Sequence, residues 1–222
     1  MKVLAICAHP DDETLGCGGT LLRHRAEGDT IDWVVTTQAH TPQWTKEVIE
    51  RKAAEVAAVA NAYSMQGLHK LGFPTVQLDT IPFAGVVDAL RKVIEQIKPE
   101  IVYLPHHGDV HTDHHVVFQA TFVVLKAFYM RAMGVRRVMS YETLSSTEAA
   151  PPQAHRAFIP NVYSNITPQI DRKIEIMSMF ATEVQADPMP RGPSAIRALA
   201  RFRGATVGVD YAEAFMLVRE VS

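Results

Sequence analysis

The stretch VLAICAHPDDE, residues 3–13, determines the fold. Residues 3–8 form a short, unbroken apolar run with β-branched members, which is typical of a strand buried on both faces of a parallel sheet. A His, a Pro and three acidic residues follow at once. A buried strand that ends in such a cluster places polar groups at the carboxyl edge of a sheet, where open α/β proteins bind their ligands.

Strand and helix patterns alternate over the next part of the chain. Short apolar runs predict strands at 31–37, 68–71 and 101–104, and longer amphipathic patterns predict helices at 16–27, 45–62, 84–98 and 113–133. This rhythm is typical of an α/β fold. We therefore predict a Rossmann-like, mainly parallel sheet with helices on both faces.

The C-terminal third is less regular. We predict strands at 135–143, 157–164 and 215–218 and helices at 167–181 and 194–203, with a proline-containing loop between the two helices. No repeat, low-complexity tract or linker divides the chain. Because single domains commonly reach this length, we expect residues 1–222 to form one domain.

The overall composition excludes several classes of protein. The formal net charge is −2, from 22 Lys and Arg residues and 24 Asp and Glu residues, so no basic character indicates a nucleic-acid partner. The first apolar run is too short for a signal peptide or a membrane span. The two cysteines suit a reducing compartment. We expect a cytoplasmic protein with no nucleic-acid partner and no membrane span.

A second polar cluster, HHGDVHTDHH at residues 106–115, directly follows the predicted strand at 101–104. The first and fourth strands of a doubly wound sheet are neighbours, so the two clusters are expected to face each other. His nitrogen and carboxylate oxygen are common zinc ligands. His9 and Asp12 lie on one tight turn and could reach the same ion, with a third ligand from the second cluster. Asp11 lies between them as a candidate base, or as a cap of the following helix.

The motif AHPDDE at residues 8–13 resembles the signature of the LmbE-like, or PIG-L, deacetylase family, and HTDH at 111–114 resembles its second motif. Arg51 with Glu55, and the run YAEAF at 211–215, resemble two further family patterns, so the resemblance covers nearly the whole chain. It implies a zinc-dependent N-deacetylase that releases acetate from an N-acetylglucosamine-type sugar or a related small amide.

The same resemblance implies roles for individual residues. It implies three zinc ligands: His9, Asp12 and His114. Asp11 would be the general base. A protonated His111 would stabilise the tetrahedral oxyanion or protonate the leaving amine, and Asp113 would orient His111.

Further assignments concern the surroundings of this site. Asp109 is a candidate acceptor for the outer N–H of a ligating His. Arg51 either binds substrate or acetate near the metal, or only forms an i,i+4 ion pair with Glu55. Zinc is expected, although the same ligand types also accept Fe²⁺. The expected partner is a small N-acetylated amino sugar or glycoside, and the resemblance suggests a homo-oligomer.

Two alternatives and one departure accompany this interpretation. The enzyme could cleave another acyl amide or a thiol conjugate. A non-catalytic nucleotide- or sugar-binding module could use Gly16, Gly18 and Gly19 as a phosphate loop, but their spacing is not Gly-x-Gly-x-x-Gly, which favours close helix packing instead. Many family members carry a Ser-Gln pair where this chain has FATEVQ at 180–185, which predicts a different substrate-facing part of the pocket.

Overall fold

The computed structural model describes all 222 residues. Its strands are β1 Lys2–Cys7, β2 Thr30–Gln38, β3 Gly67–Pro74, β4 Ile101–Pro105, β5 Arg137–Tyr141, β6 Val162–Asn165 and β7 Ala212–Glu220. Its α-helices are α1 Asp12–Ala26, α2 Lys46–Ala62, α3 Phe83–Ile97, α4 Thr112–Val124, α5 Ala127–Met130, α6 Ile170–Ser178 and α7 Pro193–Val207. Short 3₁₀ turns lie at Leu78–Thr80 and Ala154–Arg156. Each of these helices is too short or too polar to span a bilayer.

The seven strands form one sheet in the order β3-β2-β1-β4-β5-β7-β6. The first five strands pair in parallel, whereas β7 runs antiparallel to both β5 and β6. This confirms the predicted mainly parallel α/β sheet. The chain leaves β1 toward β2 on one side and reaches β4 on the other, so the crevice between β1 and β4 is the point where strand order reverses.

Alternation along β1 divides the core into two layers. Val3, Ala5 and Cys7 pack on the face covered by α1, α2, α6 and α7. Leu4 and Ile6 pack on the opposite face, beneath α3 and α4. Both faces of β1 are therefore buried, as its unbroken apolar run predicts.

Several predicted boundaries were wrong for identifiable reasons. Helix α1 begins at Asp12 rather than at residue 16, because Asp12 and Glu13 fill its first turn, where acidic groups favour the helix dipole. The helix predicted at 113–133 is divided, since Leu125 turns into the core and Lys126 is extended. Strand β6 begins only after Pro160, which has no N–H to donate to a ladder.

The glycines of α1 pack closely against other side chains, as the sequence predicted. A Cβ on Gly16 would lie 2.1 Å from Cδ2 of Tyr141, and a Cβ on Gly19 would lie 2.8 Å from Cδ1 of Ile166. Both distances are shorter than van der Waals contact. Glycine is therefore required so that α1 can approach the sheet and its neighbours.

A buried ion pair joins α1 to the C-terminal third. Lys173 on α6 places Nζ 2.7 Å from Oε1 of Glu213 on β7 and donates a hydrogen bond to the carbonyl oxygen of Leu15. The Glu213 carboxylate also accepts backbone N–H groups from Gly19 and Thr20, at 2.8 and 2.7 Å. Three distant segments are thus held together by charge-assisted hydrogen bonds inside the core.

Replacing Lys173 by Met should lower the free energy of unfolding by about 3–5 kcal/mol, because Glu213 would keep a buried charge without its cation. Urea denaturation of the purified variant measures this change. The control is Arg172→Met, which removes an exposed ion pair to Glu175 on the same helix and should cost less than about 1 kcal/mol. Equal losses in the two variants would contradict the role of the buried pair.

Candidate metal and catalytic site

The site is built on a turn that a single carboxylate holds in place. Asp12, the first residue of α1, accepts the backbone N–H groups of Ala8 and His9 on Oδ2, at 3.0 and 2.8 Å. Burial opposes ionisation, but the neighbouring imidazoles of His114 and His9 and the backbone N–H hold the pKa of Asp12 well below its usual range. Asp12 is therefore a fixed carboxylate at the end of β1.

Three donor atoms converge beside this turn, one each from His9, Asp12 and His114. Nε2 of His114 lies 3.3 Å from Nδ1 of His9 and 3.3 Å from Oδ1 of Asp12. Donors about 2.0–2.1 Å from a tetrahedral ion are separated by roughly 3.3 Å, so this set fits one small divalent metal. The structure thus contains a candidate His/Asp metal-binding site made by the two clusters that follow β1 and β4.

Each histidine of the donor set is backed by its own carboxylate. Nε2 of His9 lies 2.9 Å from Oδ2 of Asp113, and Nδ1 of His114 lies 3.1 Å from Oδ2 of Asp109. These contacts leave Nδ1 of His9 and Nε2 of His114 available as metal ligands. Asp109 thus lies within ion-pair distance of the outer nitrogen of His114. Asp113 contacts His9 instead of the ring of His111 to which the family resemblance assigned it.

The charge of the cluster favours a cation. Burial alone would make His114 less basic, yet the carboxylates of Asp12 and Asp109 raise its pKa to about 10. The negative field that stabilises a proton on His114 also attracts a metal ion, which would replace that proton. Both the ligand types and the negative electrostatic field of the site therefore favour a metal cation.

Asp11 is held in an unusual conformation next to the metal ligands. Its φ of 100° lies in the left-handed region, which is strained for a residue with a Cβ. Its carboxylate makes no capping hydrogen bond to α1, so a capping role does not explain it. Only 4% of the residue is exposed. Burial, together with the charge of Asp12, raises the pKa of Asp11, while Arg191, whose Nη1 lies 3.2 Å from Oδ2, opposes this rise.

His111 is the N-cap of α4, and this contact determines which tautomer its neutral ring adopts. Its Nδ1 accepts the backbone N–H of Asp113 at 3.2 Å, so the neutral ring carries its hydrogen on Nε2. Burial, and then the neighbouring rings of His9 and His114, lower the pKa of His111 to about 4. The geometry therefore favours a neutral His111 that donates from Nε2 over the protonated ring that the family resemblance implies.

Arg51 lies outside the site. Its side chain is 59% exposed, and its Nε lies 3.2 Å from Oε1 of Glu55. The structure thus favours the ion-pair alternative over substrate binding. The next residue, Lys52, does line the cavity, where its ammonium contacts Glu183.

A cavity of about 660 Å³ opens over the metal ligands and Asp11, a volume typical of small-molecule sites. Its apolar wall lies mainly along α2 and the segment before it and includes Trp44, Val48, Ile49 and Val56. Its polar residues outside the two motifs include Lys52, Lys70, Thr143, Ser145, Ser146, Thr182, Glu183 and Arg191.

Sequence reasoning missed the most distant of these cavity residues. Arg191 lies in the proline-containing loop, where no motif marks it, although it contacts Asp11 across 180 positions of the chain. Thr182 and Glu183 lie in the 180–185 segment, where the sequence departs from the family pattern. Because this segment does line the cavity, its departure from the family pattern was the sequence signal that could have identified these two residues.

Comparison with known proteins gives consistent matches. Residues 4–125 match the PIG-L family, described as GlcNAc-PI de-N-acetylase. The chain is 30% identical to an uncharacterised deacetylase, YaiS, of Escherichia coli, over 74% of this chain and 81% of that one. It is 24% identical to a probable N-acetyl-alpha-D-glucosaminyl L-malate deacetylase 2 of Bacillus cereus, over 83% and 84%. The conserved protein TT1542 of Thermus thermophilus superposes with a TM-score of 0.74 at 27% identity, over 99% and 96%.

The His114→Ala variant should lose stoichiometric metal, because one of the three converging donors is removed. Asp109→Asn should keep the ligands but bind metal about 10–100-fold more weakly, since the outer N–H of His114 loses its carboxylate. Competitive Zn²⁺ titration and metal counting test both. The exposed His107, whose Nε2 contacts the carbonyl oxygen of His155, provides the control His107→Ala, which should bind normally. Normal metal content in His114→Ala would remove that residue from the ligand set.

Proposed function

The chain belongs to the PIG-L family of GlcNAc-PI de-N-acetylases, and on this premise we propose that it removes an N-acetyl group from a GlcNAc-type amino sugar or a related small amide, releasing acetate. The observation that carries the proposal is the convergence of three metal donors beside the strained, buried Asp11 in one cavity. The Bacillus cereus relative, named as a glucosaminyl malate deacetylase, supports an amino-sugar substrate.

We propose zinc as the metal, held by His9, Asp12 and His114. When bound, such an ion supplies Lewis acidity that lowers the pKa of water to near 7 and polarises an amide carbonyl. Fe²⁺ remains compatible with the same nitrogen and oxygen donors.

Asp11 is proposed as the general base. Its backbone strain and its contact with Arg191 hold the carboxylate at the cavity floor, where it accepts the proton of the attacking water. A carboxylate whose pKa is raised by burial is a stronger base than an exposed one, which suits proton abstraction near neutral pH. After the attack, the protonated Asp11 can pass this proton to the departing amine.

His111 is proposed as a neutral donor to the developing oxyanion. Its Nδ1 is engaged by the backbone of α4, so its Nε2–H is the group available for donation. A pre-positioned donor of this kind contributes roughly 3–4 kcal/mol to transition-state stabilisation in acyl transfer. Because the ring is neutral, it stabilises charge without acting as the acid.

The alternatives have less support. Cleavage of another acyl amide or of a thiol conjugate would use the same metal donors and the same Asp11. The relatives, however, are named for amino-sugar substrates. A phosphate-binding module would require free backbone N–H groups at the start of α1. There the carboxylates of Asp11 and Asp12 would repel an anion, and Gly16 packs directly against Tyr141.

We further propose that residues 1–222 act as one catalytic domain, supported by the single sheet that joins the first and last strands. Cys7 and Cys17 are free and buried, which fits a reducing compartment. A cytoplasmic location and a homo-oligomer stay predictions.

The proposal is tested by measuring acetate release from a panel of N-acetylated amino sugars, with the bound metal counted in the same preparation. Release should disappear with a chelator and return when zinc is added. Release that is insensitive to chelation would contradict a metal-dependent reaction. A metal-loaded protein that releases no acetate from any sugar would contradict N-deacetylation of amino sugars.

In the same assay, Asp11→Asn should keep its metal but lose at least about 100-fold in kcat, because an amide cannot accept the proton of water. The matched control is Asp79→Asn at an exposed position outside the cavity, which should retain full activity. Full activity in Asp11→Asn would exclude Asp11 as the base.

Asp11 must be ionised to act as a base, so kcat/KM should fall as the pH drops through its pKa. Arg191 lowers that pKa against the effect of burial. Arg191→Met should therefore raise the pKa of Asp11 and move the acid limb of the pH–rate profile to higher pH. Arg201→Met, which removes an exposed ion pair to Asp210, serves as the control. A shift to lower pH in Arg191→Met would contradict the assigned contact.

A further inference from the structure

Three large apolar side chains line the catalytic cavity without packing into the core. Trp44, Val48 and Ile49 are half-buried residues of the cavity wall. They lie outside the hydrophobic core on both faces of the sheet, whereas Val56, farther along α2, belongs to it. Packing within the protein therefore does not explain these three residues. Apolar surface that is left open in a concave site is typical of a wall that receives a ligand.

The wall residues Trp44, Val48, Ile49 and Val56 together form a continuous apolar strip. Val48 and Val56 are eight positions apart on α2, so they lie on one face of the helix and about 12 Å apart along its axis. Val56 is only 4% exposed, whereas Val48 and Trp44 are half-buried. The apolar strip thus extends from the core out to the open part of the cavity.

The cations next to the apolar strip are already paired with acids of the protein. The ammonium of Lys52, which lies between Val48 and Val56 on α2, contacts Glu183. Arg191 contacts Glu183 and Asp11, at 3.0 and 3.2 Å. The strip therefore has no free positive charge beside it with which an anionic ligand could pair.

The start of α2 holds the outer part of the strip in place. Thr45 is the N-cap and accepts the backbone N–H of Val48 at 3.4 Å. The backbone N–H of Trp44 donates to the carbonyl oxygen of His40 at 3.1 Å. Trp44 and Ile49 occupy the two positions that form a hydrophobic staple across a helix N-terminus. The strip is therefore preorganised, which lowers the entropy cost of binding.

The character of the strip defines the group that it can bind. Hydroxyls placed against Val48 and Ile49 would lose water without gaining a hydrogen-bond partner. An alkyl or aryl group loses nothing there and gains from leaving water. In a GlcNAc-type sugar the acetamide is on the carbon next to the anomeric carbon, so a group on the anomeric oxygen lies beside the reacting amide. Such a group can reach the wall of the same cavity.

We propose that the apolar strip binds an apolar aglycone, so that the preferred substrate is an alkyl or aryl glycoside of the amino sugar and not the free sugar. Trp44 and Ile49 are the specificity-determining residues of this subsite. The inference rests on the proposed function, whose substrate class it narrows.

The test measures acetate release by the metal-loaded wild type from three glycosides of N-acetylglucosamine, each as both anomers. The 3-methylbutyl and 2-carboxyethyl aglycones have the same number of non-hydrogen atoms, and methyl is the small reference. For at least one anomer, kcat/KM should be on the order of tenfold higher for 3-methylbutyl than for methyl, because the longer group is buried on the strip. The 2-carboxyethyl glycoside should show no such gain.

Two results of this comparison would overturn the subsite. The first is an equal kcat/KM for the methyl and 3-methylbutyl glycosides of both anomers. The second is a preference for the 2-carboxyethyl glycoside, which would indicate an acidic aglycone paired with Lys70, the exposed cation that β3 contributes to the cavity wall.

Variants separate binding from structure through the ratio of kcat/KM between the 3-methylbutyl and methyl glycosides. Trp44→Ala and Ile49→Ala should each lower this ratio severalfold, and Trp44→Phe, which keeps an aromatic ring, should retain most of it. The control Phe128→Ala removes a side chain that is 72% exposed outside the cavity and should leave the ratio unchanged. A loss in Trp44→Ala and Ile49→Ala that is equal for both glycosides would indicate a purely structural role and overturn the subsite.

Tryptophan fluorescence distinguishes this inference from the proposed function. The chain has two tryptophans, and Trp33 is fully buried in the core, so a ligand on the strip should shift the emission of Trp44 to shorter wavelength. If the wild type releases acetate without any preference among the glycosides, the subsite is excluded and the deacetylase assignment stands. If no acetate is released, that assignment fails. A shift with the 3-methylbutyl glycoside that is absent in Trp44→Phe would then support the subsite, and no shift in the wild type would exclude it.

Discussion

The carboxylate of Asp12 is the interaction on which the rest of the structure depends. Through Oδ2 it accepts two backbone N–H groups at the end of β1, and through Oδ1 it faces His114 at the start of the neighbouring helix α4. The group that closes the turn is therefore also a metal donor. The backbone geometry that follows β1 and the geometry of the donor set cannot vary independently, which explains why the active-site floor lies on the rigid part of the fold.

The site concentrates buried negative charge and then organises it in pairs. Asp113 stands behind His9 and Asp109 stands behind His114, so each imidazole has one nitrogen directed outward and one directed toward the metal position. Burying several carboxylates this close together lowers the stability of the folded state unless a cation compensates their charge. Asp11 has a strained backbone, and Arg191 is the counter-charge that the loop before α7 brings to it.

The sequence alone predicted the central strands and the converging metal donors, because both depend on short, regular patterns. The apolar run of β1 and its polar ending predicted a buried strand beside β4, and the spacing of His9 and Asp12 predicted a shared ion. It was insufficient for Arg191 and Thr143, which reach the cavity from irregular loops whose paths have no periodicity. The early start of α1 was also missed, since Asp12 and Glu13 form its first turn and their acidic side chains were assigned to the site rather than to a helix.

The buried pair of Lys173 and Glu213 carries a consequence for how the protein is made. The residues that supply metal donors are all synthesised by residue 114, near the middle of the chain, yet the helix that begins at Asp12 is anchored by Glu213 on β7. Chains are made from the N-terminus at a finite rate, so the nascent chain exposes its histidines and acids well before α1 can dock. Complete anchoring of α1 beside the metal donors thus requires the last strand.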